Sequence, residues 1–467
     1  MDTIEKGTKK LKILLLTNRD SDNVGDQVIE ASDIALLHAV MGNLGYARSQ
    51  YTINSRAASI VTKKYMASRD PKHLKTAEKE ISEADLVLFG GAPVFNYGYQ
   101  NFYERTALTL ELAQKYEKPV IFSAVGIEAY NENNAKCQRL KATLNFDCVK
   151  QITTRDGLER LEKYKENEQL TIGLVSDPAV FSAPVFASYT KKKPVVVVKK
   201  KFGIFPVKIE IPPTKPAKKK IGIFVLRANG FTDNKVDFPK EEAAQLWLDL
   251  MAELKKRGYS YELITSGHFG DEAFLDYLIR NYDVKLSKCV FNMNSPEELF
   301  AKMAEYDGVV SCRLHPSIIS FSMNIPAVSL IWNTKVVGFY NGIGYPNRAI
   351  ERADFNAVAI TDRLEAAMAE GVEKDTTYLM SVYESLFHGI RQVFCPEKTT
   401  IEPYDYDKLL SELPAFKGTS KNEKLLKLQR KFRRVYELCN KRLDQNTELK
   451  EEILALKEEI RQLKENA

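Results

Sequence analysis

Three side chains that handle anions and protons follow two predicted strands of this 467-residue chain, each at the point where its strand ends. Arg313 and His315 come after the apolar run that ends at Ser311, and Lys335 follows the next apolar run. Guanidinium and ammonium groups bind carboxylates and phosphates, and histidine exchanges protons near neutral pH. Because neighbouring strand ends meet at one edge of a sheet, we expect an anion site in which His315 moves a proton. The alternative is a histidine that only caps the loop.

A fourth cation, Arg155, follows a predicted strand in the first half of the chain. Its neighbour Asp156 leaves two interpretations open. The two residues form a surface ion pair of little energetic weight, or the arginine reaches into a cleft and grips a carboxylate or phosphate through two hydrogen bonds.

Two glycine-containing turns follow other predicted strands. The first holds Asn23, Gly25 and Asp26 and leads into a predicted helix. Glycine lets backbone amides approach a ligand and a helix N-terminus favours anions, although Asp26 equally well caps the helix. Gly90 and Gly91 either admit a substrate or only form a turn. Neither turn matches a dinucleotide fingerprint or a Walker loop, so neither nucleotide cofactors nor ATP are predicted.

Apolar strands alternate with helices in two stretches, residues 11–188 and 221–350. This alternation predicts an α/β protein with two Rossmann-like domains, each a doubly wound parallel sheet, facing each other across a cleft. Ligands bind at the carboxyl ends of such strands, where the candidate residues stand. Residues 351–415 are predicted to be mostly helical and to pack back on the core.

The segment 189–220 joins the two predicted domains as a linker or as an inserted hairpin. Residues 191–220 hold eleven lysines and one glutamate, a local charge of +10, whereas the whole chain carries +6. Because the basic charge is confined to this segment, we expect no nucleic-acid partner. The lysines predict either a solvated loop or a peripheral contact with an anionic membrane.

A heptad repeat over residues 425–463 predicts a C-terminal coiled coil within 421–465. Position a is held by Leu425, Phe432, Cys439, Asn446, Ile453 and Ile460, and position d by Leu428, Val435, Arg442, Leu449, Leu456 and Leu463. Asn446 in the seam favours a parallel, in-register homodimer. The alternative is a single amphipathic helix packed on its own domain.

Composition narrows the class of protein. With 44% apolar and 28% charged residues the chain is expected to fold, and its length suits two or three domains. No apolar run approaches the twenty residues of a membrane span, and the run 13–16 is too short for a signal peptide, so we expect a cytoplasmic protein. The six cysteines lack zinc-site spacing, so no metal is predicted.

Together these motifs resemble the polysaccharide pyruvyl transferase family over roughly residues 11–350. The resemblance rests on Asn23-x-Gly-Asp26, Gly90-Gly91, Thr154-Arg-Asp156, Ser311-x-Arg-Leu-His315, and Lys335 with Gly338-Phe339. The family often has a third glycine where this chain has Ala92. Neither the lysine-rich segment nor the heptad repeat belongs to the shared core.

The resemblance implies a fold similar to that of B-type glycosyltransferases and a transfer of pyruvate from phosphoenolpyruvate to a nucleotide- or lipid-linked sugar of a cell-surface glycan. The products are a pyruvate ketal and inorganic phosphate. Arg155, His315 and Lys335 carry over as site residues, with Arg313 as a lesser candidate. His315 then acts as the acid at carbon 3 or relays a hydroxyl proton, while the cations hold the carboxylate and phosphate of the donor. The resemblance implies no cofactor besides this donor substrate.

Two other functions remain open from the sequence. One is a B-type glycosyltransferase that uses a nucleotide sugar, although the second predicted domain lacks a clear ribose-binding glutamate motif. The other is a coiled-coil scaffold with a degenerate core. The joint presence of Arg155, His315 and Lys335 argues against the scaffold.

Overall fold

The chain divides into two units, residues 1–418 and 419–467. The computed structural model describes residues 10–98, 102–190, 196–201, 205–210 and 218–465, of which 196–201 and 205–210 are described as backbone only. The first unit contains two parallel sheets, and the second contains one long helix.

Six parallel strands form the sheet of the first half. They are β1 Leu11–Thr17, β2 Tyr51–Ala57, β3 Leu86–Gly90, β4 Val120–Val125, β5 Val149–Thr154 and β6 Thr171–Leu174. Their order across the sheet is β2-β1-β3-β4-β5-β6, so the chain reverses its direction of travel between β1 and β3. Every residue of β3 and β4 is buried, as expected of central strands covered on both faces. The crevice at the reversal is where such sheets bind ligands.

Helices cover both faces of this sheet. They are α1 Val24–Asn43, α2 Lys63–Ser68, α3 Lys75–Glu83, α4 Phe102–Lys115, α5 Ala135–Leu144, α6 Leu158–Glu162 and α7 Ser182–Val185. The first of them starts directly beyond β1, and the side chain of Asn23 caps it by accepting a hydrogen bond from the backbone N–H of Gly25. The N-terminus of α1 therefore opens at the ligand-binding edge of the sheet.

A short antiparallel hairpin follows the first half. Its strands are β7 Val196–Lys201 and β8 Phe205–Glu210, with Val196 opposite Glu210. The rest of the lysine-rich segment, residues 191–195, 202–204 and 211–217, lies outside the described residues. Its contact with an anionic membrane therefore stays a prediction. Among the residues described, no helix is both long and apolar enough to cross a membrane.

The second half repeats the architecture. Its strands are β9 Lys220–Phe224, β10 Ser260–Ile264, β11 Cys289–Val290, β12 Gly308–Ser311, β13 Ala327–Leu330 and β14 Ala349–Ile350. The helices among them are α8 Lys240–Lys256, α9 Phe269–Tyr282, α10 Pro296–Met303, α11 Leu314–Ser322 and α12 Thr334–Gly342. The sheet order is β11-β10-β9-β12-β13-β14, all parallel, with the reversal between β9 and β12. The predicted α/β class with two doubly wound sheets is confirmed.

One of the hydrophobic core clusters contains residues of both halves. Helix α13 Ala357–Glu370 packs on α8 and β13 in the second half, and α14 Thr376–Phe394 returns to the first half. There Gln151 donates a hydrogen bond to the carbonyl of Ser385 (3.0 Å). Phe186 of the first half stacks on Phe300 of the second with their centroids 4.3 Å apart. These contacts hold the two halves together.

The C-terminal elements are helical as well. Helix α15 Tyr406–Glu412 ends the helical part of the first unit, and α16 Lys421–Glu465 makes up the second. The 45 residues of α16 include none that is buried. The predicted long helix is present, and its association into a coiled coil stays a prediction.

Candidate functional site

His315 of the second half meets Asn23 of the first half. His315 lies in the first turn of α11, directly after β12, and its Nδ1 is 3.0 Å from Nδ2 of Asn23. Oδ1 of Asn23 accepts hydrogen bonds from the N–H of Gly25 (3.3 Å) and from the hydroxyl of Ser266 (2.8 Å). Since a backbone N–H can only donate, the amide oxygen must face Gly25 and the amide NH₂ must face His315. The imidazole therefore accepts at Nδ1 and carries its hydrogen on Nε2.

Gly25 makes this approach possible. A Cβ atom at residue 25 would lie 2.3 Å from Cβ of His315, closer than any real pair of carbon atoms in contact. The backbone of the first turn of α1 therefore forms the wall against which the imidazole packs. Gly25, predicted to bring the backbone near a ligand, instead brings it near the histidine.

The imidazole of His315 is neutral in the free protein. Burial lowers its pKa to about 4, the carboxylate of Asp26 opposes this, and the charges of Arg155 and Lys335 lower it further. Nε2 has no hydrogen-bond partner among the described residues and lies 4.0 Å from Oδ1 of Asp26. Nε2 is shielded from solvent in the free protein, and a group that bound between these two atoms would hydrogen-bond to both.

Arg155 stands at the end of β5 and is held by Asp177, with only 7% of its side chain exposed. Burial opposes its charge, but the carboxylates of Asp177, Asp156 and Asp26 together outweigh burial and raise the pKa of Arg155. Nε of Arg155 has no partner within the described part of the chain. The sequence left open a surface pair of Arg155 with Asp156, and the structure instead pairs the buried Arg155 with Asp177.

A buried carboxyl, Asp33, lies beside this pair. Burial raises its pKa well above the usual range, and the charge of Asp177 raises it further, whereas Arg155 lowers it. A Cβ atom on Gly90 would come within 2.3 Å of Oδ2 of Asp33. Gly91 has φ +53°, and a Cβ there would meet Ile29 at 2.2 Å. The two glycines therefore let α1 pack under the end of β3.

Lys335 is the most accessible of the predicted cations. It lies in the first turn of α12, whose N-cap is Asn333, and 32% of its side chain is exposed. Its Nζ is 3.6 Å from Oδ2 of Asp156, which also accepts a hydrogen bond from the N–H of Ile127 (2.9 Å). A Cβ atom on Gly126 would lie 3.0 Å from Nζ, so the loop after β4 passes close to the amine.

Arg313 is engaged inside the second half. Its Nε and Nη2 donate to the two oxygens of Asp271 at 2.8 and 2.6 Å, and the guanidinium lies 5.7 Å from the ring centre of Trp332. Asp271 is fully buried and also accepts from the backbone N–H of Arg227 (2.8 Å). The edge of the guanidinium best suited to grip an anion is therefore occupied by a carboxylate.

The structure brings His315 together with Asn23, Gly25 and Asp26, and places the charges of Arg155 and Lys335 near enough to act on its pKa. The sequence-based search missed four polar residues, Asp33, Asp177, Ser266 and Asp271. Asp177 and Ser266 follow strands β6 and β10, so the strand-end rule could have found them. Asp33 lies inside α1, where no pattern in the neighbouring sequence marks it as a site residue. Nowhere in the described ranges do three or more His, Cys, Asp or Glu residues cluster as metal ligands do.

The chain is similar to one protein family and to several solved structures. The family model described as polysaccharide pyruvyl transferase matches residues 23–334, more than half of the chain. A protein from Listeria monocytogenes, named for UDP-N-acetylglucosamine 2-epimerase activity, is 11% identical with a TM-score of 0.53; the match covers 85% of this chain and 99% of that one. The E. coli heptosyltransferase WaaC, solved with ADP, is 10% identical with a TM-score of 0.36, over 76% of this chain and 100% of that one. No curated protein matches the sequence significantly.

Proposed function

Because the chain belongs to the polysaccharide pyruvyl transferase family, we propose that it transfers pyruvate from phosphoenolpyruvate to two hydroxyls of a sugar in a glycan precursor. The first hydroxyl adds to carbon 2 of the donor while carbon 3 gains a proton. The second hydroxyl then displaces phosphate from carbon 2, and its proton leaves with the phosphate. The products are a pyruvate ketal and inorganic phosphate. The observation that carries the proposal is a buried imidazole flanked by Asp26, Arg155 and Lys335 between the two sheets.

The charges of the site suit a donor with a carboxylate and a phosphate. Lys335 presents a partly exposed amine that Asp156 holds at 3.6 Å, so an incoming anion can compete for it. Arg155 lies deeper, and its positive field reaches the imidazole despite its pairing with Asp177. We assign the first contact with the donor to Lys335 and electrostatic stabilisation of the departing phosphate to both cations. Arg313 is assigned to holding the loop after β12 through Asp271.

We assign proton transfer to His315. The bound donor adds negative charge beside the imidazole, and a nearby anion favours the protonated form. The donor thus raises the pKa of His315 from its low value and prepares an acid whose Nε2 proton can reach carbon 3. Oδ1 of Asp26, 4.0 Å from Nε2, stands ready to accept the hydroxyl proton of an acceptor sugar placed between them.

The decisive experiment incubates the full-length protein with phosphoenolpyruvate and a panel of nucleotide- and lipid-linked sugars, and measures phosphate release and a mass gain on the sugar. A ketal-bound pyruvate adds the mass of pyruvate less one water to the acceptor. Nucleotide sugars without phosphoenolpyruvate serve as the control for glycosyl transfer. If a folded protein releases no phosphate across a broad panel, or transfers sugar without the donor, the proposal fails.

Two variants divide the roles within the site. His315→Gln is expected to lose turnover by at least about a hundredfold, the usual contribution of a general acid or base, while donor binding persists. Lys335→Met is expected to weaken donor binding, seen as a higher KM for phosphoenolpyruvate. Glu412→Gln, at an exposed ion pair with Lys408 in α15, is the matched control and should change neither value.

A further inference from the structure

Helix α16 carries an apolar seam, formed by its a and d positions, that no other part of the second unit covers. Leu449 and Ile453 are 53% and 50% exposed, and five other apolar residues of the seam are 49–64% exposed, whereas two are half-buried: Leu425, Phe432, Leu456, Ile460 and Leu463 are the exposed ones, and Leu428 and Val435 the half-buried ones. An isolated helix gains little stability from its own backbone, so most helices depend on packing along an apolar face. We propose that α16 pairs with α16 of a second copy of this chain, and that the two helices run antiparallel.

The charge distribution along α16 favours the antiparallel pair over the parallel one. Residues 421–443 contain nine Lys or Arg and two Glu, net +7, whereas residues 444–465 contain four Lys or Arg and seven Asp or Glu, net −3. In a parallel pair the two +7 halves lie side by side and repel each other. In an antiparallel pair each +7 half faces a −3 half. Like charges along a coiled-coil seam disfavour one alignment and opposite charges favour the other.

The polar residues of the seam point the same way. In a parallel, in-register pair Arg442 lies opposite Arg442 of the partner subunit, which places two guanidinium groups in one apolar layer. Of these polar seam residues only Asn446 suits the parallel pair, because it would lie opposite Asn446 of the partner subunit. In the antiparallel pair that opposes position a to position d, Asn446 faces Arg442 of the partner subunit twice about the two-fold axis. The amide oxygen then accepts from the guanidinium, so both polar residues gain a partner.

The register of this antiparallel pair uses the whole helix. Its two-fold axis passes near Asp444, and the described helix spans Lys421–Glu465, whose midpoint lies one residue away. Positions beside the seam then bring Lys424 and Lys431 opposite Glu459 and Glu452 of the partner subunit, respectively. A parallel pair has as many such contacts, through Glu452 with Lys457 and Glu459 with Lys464. These flanking contacts therefore do not distinguish the parallel from the antiparallel alignment. The polar residues of the seam and the opposite charges of the two helix halves favour the antiparallel one.

Cys439, at position a and exposed, allows a direct test by oxidative cross-linking of the full chain. In the antiparallel pair it faces Leu449 of the partner subunit, and the two Cys439 lie about ten residues apart, roughly 15 Å, beyond the reach of a disulfide. The wild type should therefore stay uncross-linked, and Leu449→Cys should form a disulfide-linked dimer. Cys439→Ser combined with Leu449→Cys should not. Rapid dimer formation in the wild type, or in that double variant, would establish the parallel pair and overturn the proposal.

Charge reversal gives an independent test that requires no cysteine. Lys424→Glu with Lys431→Glu breaks flanking contacts of the antiparallel pair and none of the flanking contacts of the parallel pair. We expect the dimer Kd to rise on the order of tenfold in sedimentation measurements. Adding Glu452→Lys and Glu459→Lys restores those contacts and should restore the Kd. In a parallel pair the first two changes have little effect, and the added two weaken the dimer. A monomer at all concentrations, or a trimer, would also refute the proposal.

Discussion

The side-chain amide of Asn23 and the imidazole of His315 join the two halves of the protein across 292 residues of sequence, with 3.0 Å between Nδ2 and Nδ1. The N–H of Gly25 sets the orientation of the amide, and the amide sets the tautomer of the imidazole. A cap of the first helix thereby determines which ring nitrogen of His315 presents a hydrogen to the site. This coupling makes the electrostatics of the site testable without any substrate.

The first prediction concerns the charge of the imidazole. Asn23→Asp keeps a good helix cap but offers a carboxylate to Nδ1, which favours the protonated ring. We expect the pKa of His315 to rise from about 4 in the wild type towards or above its ordinary value. Titration of the histidine ring protons by NMR measures it, with His73, on a short 3-10 turn of the first half, as the internal reference. An unchanged low pKa in a folded variant would contradict the coupling.

The second prediction concerns stability at acid pH. A folded-state pKa of about 4 against the ordinary value of 6.5 means that the unfolded chain takes up a proton before the folded one does. His315 therefore costs no stability above pH 6.5, and costs increasing stability as the pH falls from 6.5 to 4, in total about 3 kcal/mol. His315→Asn removes this dependence. Urea unfolding of both proteins between pH 7 and pH 4.5 measures this effect. The free energy of unfolding of the variant should increase relative to that of the wild type as the pH falls.

The third prediction separates close packing from helix propensity in α1. Gly25→Ala places a Cβ 2.3 Å from Cβ of His315, so we expect a loss of about 1–3 kcal/mol of stability and a displaced imidazole. Gly42→Ala lies in the same helix with nothing within 4 Å of the new Cβ. There we expect no loss, or a gain of up to about 1 kcal/mol, because alanine favours the helix. Thermal or urea unfolding compares the pair, and equal effects would rule out the proposed contact.

The fourth prediction concerns Asp33. Its folded-state pKa is raised by burial above the ordinary 3.8, so the folded protein holds a proton that the unfolded chain releases. The contribution of Asp33 to stability is therefore highest below pH 3.8 and is lost as the pH rises towards the folded-state pKa. Asp33→Asn removes this loss. The stability of the variant relative to the wild type should increase with pH, measured by urea unfolding at several values above pH 4.

Much of the architecture was predictable because short apolar runs that alternate with helices form buried parallel strands. The runs ending at Thr17, Phe89 and Ser311 mark strands of the two sheets, and the heptad repeat marks the long C-terminal helix. The site was partly predictable for the same reason, since side chains directly beyond such strands collect at one edge. Asp33 was not predictable, because it stands inside a helix and its burial depends on Gly90 of another segment.

The sequence by itself determined which residues stand at the strand ends, and hence that a histidine and several cations share one region of the fold. Only the tertiary structure decided which of these side chains are charged and which are available to a ligand. Arg313 is occupied by Asp271, Lys335 is partly open, and the imidazole of His315 is neutral. The physical reason is that burial and hydrogen-bond partners come from segments far apart in the chain, and these determine which charges persist. Residue type and spacing predict a location, whereas packing determines protonation and availability.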